Sequence, residues 1–185
     1  APTAVGSVAL GANTTGASST ALGDSALAAQ TTEGFNTVVG AEAGIANTSG
    51  SGLVAMGYQA LDANTTGDSN TGIGYQALGA NTTADNNTAV GYYSLLTNTT
   101  GETNTAVGQN ALSTNVTANR STAVGYEALK VSNVSGDTNA SNTAVGFHAG
   151  TATTTGVADV FIGSQSGDAN TTGSQNTGVG LGSLG

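Results

Sequence analysis

A short motif of the form Thr-Ala-Val-Gly returns along the whole chain at a fixed interval, and an internal period of this kind constrains the fold more than any other property. Its closing glycine falls at Gly6, Gly23, Gly40, Gly57, Gly74, Gly91, Gly108, Gly125, Gly146, Gly163 and Gly180. Every step is 17 residues except the one from Gly125 to Gly146, which is 21 and so holds a four-residue insertion within 133–141. Residues 1–185 therefore read as a single repeat domain of eleven units. With this glycine numbered position 5, the unit is N-T-A-V-G-Y-Q-A-L-x-A-N-T-T-G-x-x.

Position 4 is aliphatic in all eleven units: Val5, Leu22, Val39, Met56, Ile73, Val90, Val107, Val124, Val145, Ile162 and Val179. Position 8 is always Ala or Ser, and position 9 is Leu except at Gly44, Gly150 and Gly167. A helix fails locally, because each unit sets a β-branched residue beside an unvarying glycine and follows it with a turn-forming Asn-Thr-Thr-Gly. Thr-Ala-Val and Tyr-Gln-Ala-Leu read as short strands, with Asn-Thr-Thr-Gly as the turn, whose Asn and Gly tolerate positive φ. One unit per coil predicts an all-β fold, a parallel β-solenoid or flattened β-roll in which each strand pairs with its equivalent in the next coil. Eleven coils about 4.8 Å apart give a rod roughly 50 Å long, with like side chains stacked in columns.

Successive strand residues point to opposite faces, so positions 3 and 4 cannot both line the inside. Position 3 is Ala in most units, and where it enlarges, to Val38 or Phe161, position 9 of the same unit shrinks to Gly44 or Gly167. Positions 3 and 9 must then share one confined volume. Position 4, with the Thr or Val of position 2, falls on the other face. A ribbon this thin with two apolar faces needs a second cover, which predicts a homo-oligomer, with three-fold symmetry favoured.

Composition removes several functions. Charged residues are 7% of the chain, against about 25% in ordinary globular domains. Arg120 and Lys130 are the only basic residues beside 11 acidic ones, too few to neutralise a phosphate backbone or an anionic membrane. No apolar run is long enough for membrane insertion. Cysteine is absent, so no disulfide or thiolate metal site forms. No cofactor motif is present; Gly178-Val-Gly-Leu-Gly182 is the repeat's own glycine pattern.

Asn-Thr-Ala-Val-Gly at 87–91 and 104–108, and Thr-Ala-Val-Gly at 122–125 and 143–146, resemble the Ser-Val-Ala-Ile-Gly repeats of trimeric autotransporter adhesin heads. The 17-residue form, as at 70–83, is similar to repeats of bacterial and phage tail-fibre-type proteins. The resemblance covers essentially the whole chain and implies a homotrimer of left-handed parallel β-rolls. This chain departs from it in its longer period and in having no heptad stalk, neck, anchor or C-terminal chaperone domain. It starts and stops in mid-pattern, which predicts either a piece of a longer fibre or open ends that stack head to tail into a filament.

Several columns are candidate sites. Sequons at Asn13, Asn47, Asn64, Asn81, Asn98, Asn115, Asn133 and Asn170 are candidate glycosylation sites, against a competing reading of Asn-Thr-Thr as turns with stacked amides in a ladder. Asp68, Asp85 and Glu102 form an acidic column that either collects a divalent cation or is a solvated edge, with Arg120 one coil further along to offset it. Tyr58, Tyr75, Tyr92, Tyr126 and Phe147, with Tyr93 alongside, form an aromatic contact row for a sugar or another fibre, or else a ladder partly buried between coils. The insertion is a candidate binding loop or a tolerated bulge. His148 stands alone, with no partner for a metal site or catalytic dyad.

The functional expectation is a non-catalytic structural and adhesive fibre segment, extracellular or on a cell or virion surface, whose partners are itself and a surface glycan or receptor. A head-to-tail filament subunit is one alternative. An ice-binding β-solenoid is another, prompted by the threonine column at position 2 and opposed by its lack of a Thr-x-Thr pair. Scattered acids argue against a glycan-cleaving enzyme, which needs a carboxylate pair in a groove.

Overall fold

A computed structural model of the chain describes residues 1–32, 34–136 and 139–185. It is a parallel β-solenoid. Among the described residues eleven three-residue strands, β1 (Thr3–Val5), β2 (Thr20–Leu22), β3 (Thr37–Val39), β4 (Val54–Met56), β5 (Thr71–Ile73), β6 (Thr88–Val90), β7 (Thr105–Val107), β8 (Thr122–Val124), β9 (Thr143–Val145), β10 (Val160–Ile162) and β11 (Thr177–Val179), form one sheet in chain order. Each strand pairs in register with its equivalent in the next coil, as Thr88↔Thr105, Ala89↔Ala106 and Val90↔Val107. The pairing crosses the 21-residue unit unshifted, with Thr122 opposite Thr143. The extra residues lie between Val134 and Ser141. Thr117 Oγ1 still donates to the Val134 carbonyl 17 residues on, whereas Ser141 N–H reaches back to the Asn119 carbonyl over 22 residues, a bond that spans 18 at Ser69 and Ser51.

The rest of each coil is not a second strand. Tyr-Gln-Ala-Leu, expected to be extended, is a run of overlapping tight turns. In coil 5, Ala77 N–H bonds the Gly74 carbonyl at 3.4 Å, Gly79 that of Gln76 at 3.2 Å and Asn81 that of Leu78 at 3.1 Å. The residues between them bond outward instead: Gln76 N–H to Tyr58 in the coil before (3.0 Å) and Leu78 N–H to Ser94 in the coil after (3.1 Å). Bonding alternately within and between coils sets Gln76 at φ 50° and Leu78 at φ 55°, the left-handed region that costs a side chain about 1 kcal/mol or more. Intercoil bonding outweighs that strain coil after coil.

The Asn and Gly of Asn-Thr-Thr-Gly do not use their tolerance of positive φ. Outside the insertion the residues with positive φ are at positions 5, 7, 9 and 17; the turn glycine is not among them and is Ala84 and Ala118 in two coils, although a Cβ on Gly101 would lie 2.5 Å from the Ala118 carbonyl oxygen. Position 5 is where glycine is required. At Gly91, φ is 134°, and a Cβ would lie 2.7 Å from both the carbonyl carbon and the oxygen of Gly108 in the next coil. Backbone rests on backbone down this column.

The interior has two halves. One is apolar, built from positions 3, 8 and 9, as in Ala89, Leu95, Ala106, Ala111 and Leu112, all fully buried. Val38 and Phe161 point into it, as the volume exchange with position 9 predicts. A Cβ on Gly167 would lie 2.3 Å from the Phe161 ring, and one on Gly150, a coil earlier, 2.8 Å from it. The ring thus occupies space that two leucines would need, of which the sequence pairing identifies one.

The other half is polar. Asn64 Nδ2 donates to Asn47 Oδ1 at 3.0 Å, Asn81 to Asn64 at 2.8 Å, Asn98 to Asn81 at 3.2 Å and Asn115 to Asn98 at 2.8 Å. A second column runs along position 1, where Asn70 Oδ1 accepts from Asn87 N–H and Asn87 Oδ1 from Asn104 N–H, each at 2.9 Å. The two columns meet on one carbonyl per coil: Gly101 accepts Nδ2 of both Asn87 and Asn98 at 2.8 Å. Buried amides are satisfied here by their own repetition.

Candidate functional site: the outer sheet face and its flanking ladders

Side-chain alternation along Thr-Ala-Val turns position 3 inward and leaves positions 2 and 4 on the outer face of the sheet. The position 4 column, expected as core or interface, is therefore not core. Val39, Ile73, Val90, Val107 and Val124 are half-buried by their own neighbours, while Val5, Leu22, Met56, Val145, Ile162 and Val179 are exposed, Val179 to 66%. Beside it run the position 2 threonines, replaced by Val54 and Val160 in two coils. Neither column contains a charged residue in any of the eleven coils, although the chain carries a net charge of −9. The result is a flat, uncharged strip of aliphatic and threonine methyl surface running the length of the sheet.

The aromatic row flanks this strip, separated from it by the side-chain-free glycine column. Tyr58, Tyr75 and Tyr92 stack with centroids 5.5 and 5.2 Å apart, and Tyr126 stacks on Phe147 at 5.4 Å. Gln109 interrupts the row. The rings stack on one another along the row, and each residue remains 40–51% exposed. Position 7 adds a parallel column that sequence reading passed over. Gln59 Nε2 donates to Glu42 Oε2 at 2.7 Å and Gln76 Nε2 to Gln59 Oε1 at 2.6 Å. Its signal was the recurrence of long polar residues at 17-residue spacing. The Glu42 carboxylate beside Tyr58 holds that phenol above its ordinary range, with burial and Tyr75 acting in the same direction.

His148 is not isolated. It stacks on Phe147 at 4.1 Å and on Tyr126 at 5.4 Å, and its Nε2 lies 3.4 Å from Glu127 Oε2. Lys130 Nζ donates to the other oxygen of Glu127 at 2.8 Å, and chiefly this bond lowers the Glu127 carboxyl below its ordinary range.

The sequons divide by burial. Asn47, Asn64, Asn81, Asn98 and Asn115 are at most 1% exposed, with each Nδ2 committed inside the coil, so a glycan has no access to them in the folded chain. Asn13 and Asn170 are half-buried, and Asn133 is exposed at the root of the insertion. Part of that insertion, residues 137 and 138, lies outside the described residues.

The acidic column has a structural task. Asp68 Oδ1 accepts Ser51 N–H at 2.8 Å and Asp85 Oδ1 accepts Asp68 N–H at 2.7 Å. Asn119, not Arg120, continues this register, its Oδ1 accepting Glu102 N–H at 2.7 Å. Among the described residues no three His, Asp or Glu side chains come together to hold a metal ion. At the last coil, Phe161, Ala169, Asn170, Asn176 and Leu184 line a hollow of about 300 Å³. Comparison with protein-family models, curated proteins and solved structures returned no match.

Proposed function

We propose that this chain is a non-catalytic structural segment of an extracellular or surface fibre, and that it associates with further copies of itself through the outer face of its sheet. The uncharged position 2 and position 4 columns carry this reading. A cover for a strip repeating every ~4.8 Å over some 50 Å must share that periodicity, and a second copy does. Electrostatics agree, since the acids of a chain at −9 all stand off these columns, so that copies meet where neither is charged. Three copies, each covering one neighbour's strip, form the closed arrangement we favour. The aromatic row, outside that strip, is then free for contact with a surface glycan or receptor.

Sedimentation equilibrium of the chain beside a Val90→Glu/Val107→Glu variant tests this. Both side chains point outward, so the fold survives by circular dichroism. The parent is expected as an oligomer and the variant as a monomer; a monomeric parent refutes the reading. The outward threonine column favours one second reading, ice binding, which predicts thermal hysteresis that is abolished by substituting Thr88 and Thr105 and is indifferent to association.

A further inference from the structure

In coil 8 the polar half of the interior loses both of its amides at once. Ser121 holds position 1 and Ser132 position 12, where coil 7 has Asn104 and Asn115. In coil 7 those two amides converge on a single carbonyl, that of Ala118, at 2.8 and 3.0 Å. The two serine hydroxyls therefore flank one small region of the interior. Each serine has two fewer heavy atoms than the asparagine whose place it takes and ends one bond sooner, and neither reaches the neighbouring rungs.

Four buried oxygens are left without a partner around this break, where Thr153 also stands in place of the position 12 asparagine in coil 9. Asn115 Oδ1 receives no rung from Ser132, whereas Asn98 Oδ1 receives one from Asn115 at 2.8 Å. Ser132 Oγ, Thr153 Oγ1 on the next rung and Ser121 Oγ across the coil are also unpaired. All four residues are at most 1% exposed. Where Gln30 replaces the asparagine beyond Asn13, only Asn13 Oδ1 is orphaned, because Gln30 Nε2 turns to Ser19 Oγ at 3.2 Å. Native interiors do not tolerate such clusters dry: buried polar atoms are paired with protein or with ordered water.

The chemistry of the four oxygens selects the ligand. Three hydroxyls each donate and accept, and one amide oxygen accepts; water, with two donors and two acceptors, matches that set. Four neutral oxygens with no carboxylate are a poor exchange for a cation's hydration shell. The space released by the two serines suits one or two waters at about 30 Å³ each. We propose that coil 8 contains a buried water site, of one or two molecules, that joins Asn115 Oδ1, Ser132 Oγ and Thr153 Oγ1 to Ser121 Oγ and so carries the polar ladder across its break.

Alanine variants of the full chain separate a wet site from a dry one. If water bridges these groups, Ser132→Ala and Ser121→Ala each strip it of a partner, and Tm falls by about 2–4 °C. In a dry site the same changes delete an orphaned hydroxyl, and an unchanged or raised Tm overturns the proposal. A direct readout is independent of stability. Long-lived water-to-amide NOEs are expected at residues 121 and 132 of the parent and are lost in Ser132→Asn, whose amide replaces the water. Their absence from the parent, or their persistence in Ser132→Asn, also overturns it.

Discussion

The two halves of the coil interior meet an off-consensus residue in opposite ways. In the apolar half, Phe161 replaces an alanine, and glycines at 150 and 167 make room for its ring, so every apolar atom there remains packed. In the polar half, two serines and a threonine replace asparagines in adjacent coils, and four oxygens lose their partners. Apolar packing depends on volume and has no direction, so bulk can move from one position to another. A hydrogen-bond ladder depends on reach and direction, so a shortened rung breaks the link above and the link below.

The largest test of this contrast is Phe161→Ala, expected to lower stability by about 3–5 kcal/mol. Adding Gly150→Leu and Gly167→Leu restores the consensus, because leucine already takes the left-handed conformation at this position in other coils, such as Leu78 at φ 55°. Urea midpoints should place the triple variant within about 1 kcal/mol of the parent. A triple variant as weak as Phe161→Ala would show that volume does not transfer.

No such rescue is expected in the polar half. Asn98→Leu removes rungs to Asn81 Oδ1 and from Asn115 Nδ2, with an expected loss of about 2–4 kcal/mol. Adding Asn81→Leu only moves the broken end to Asn64, so the double variant should be no more stable than the single one. Recovery in the double variant would put the two halves under one rule.

Asp159→Asn is expected to go the other way. Asp159 is fully buried in the position 1 column, where its Oδ1 accepts from Asn176 N–H at 2.8 Å. In the coil before, Asn142 Nδ2 also donates to the Gly156 carbonyl at 2.7 Å, a donation a carboxylate cannot make. Supplying that donor should add about 1 kcal/mol, read as a raised urea midpoint.

The smallest effect lies outside both halves. Glu127 has its carboxyl lowered in the folded chain, mainly by Lys130, so its contribution is present above the unfolded-state value and lost as pH falls through the lower folded one. On acidification through the carboxylate range the parent should lose about 0.5 kcal/mol or less relative to Glu127→Gln, the size of an exposed pair. Asp62, raised by burial, has the opposite sign: its favourable contribution is present at low pH and lost as pH rises, so Asp62→Asn should help most at neutral pH.

What could be read from the sequence follows the same division. The period, the inward turn of position 3 and the exchange between Phe161 and Gly167 were legible because volume and alternation leave marks in residue type. Sequence also offered the asparagine ladder as an alternative to glycosylation, but could not place Asn81 and Asn98 inside, because an amide that is half of a turn motif looks the same buried or solvated. The turns at 75–78 were read as strand because local preference opposes a left-handed leucine, and only the stacked coils on either side reverse that preference. Gln59 and Gln76 were missed for a related reason, since their bonds exist only between units.

The glycine column at position 5 has a mechanical corollary. Because each glycine carbonyl there faces the backbone of the coil before it, with no room even for a Cβ between them, the rod has little slack to shorten under compression. Under tension the intercoil bonds, which all lie along the axis, bear the load in series, so the whole is as strong as its feeblest junction. Fracture should then begin at a definite coil and leave the pieces on either side intact.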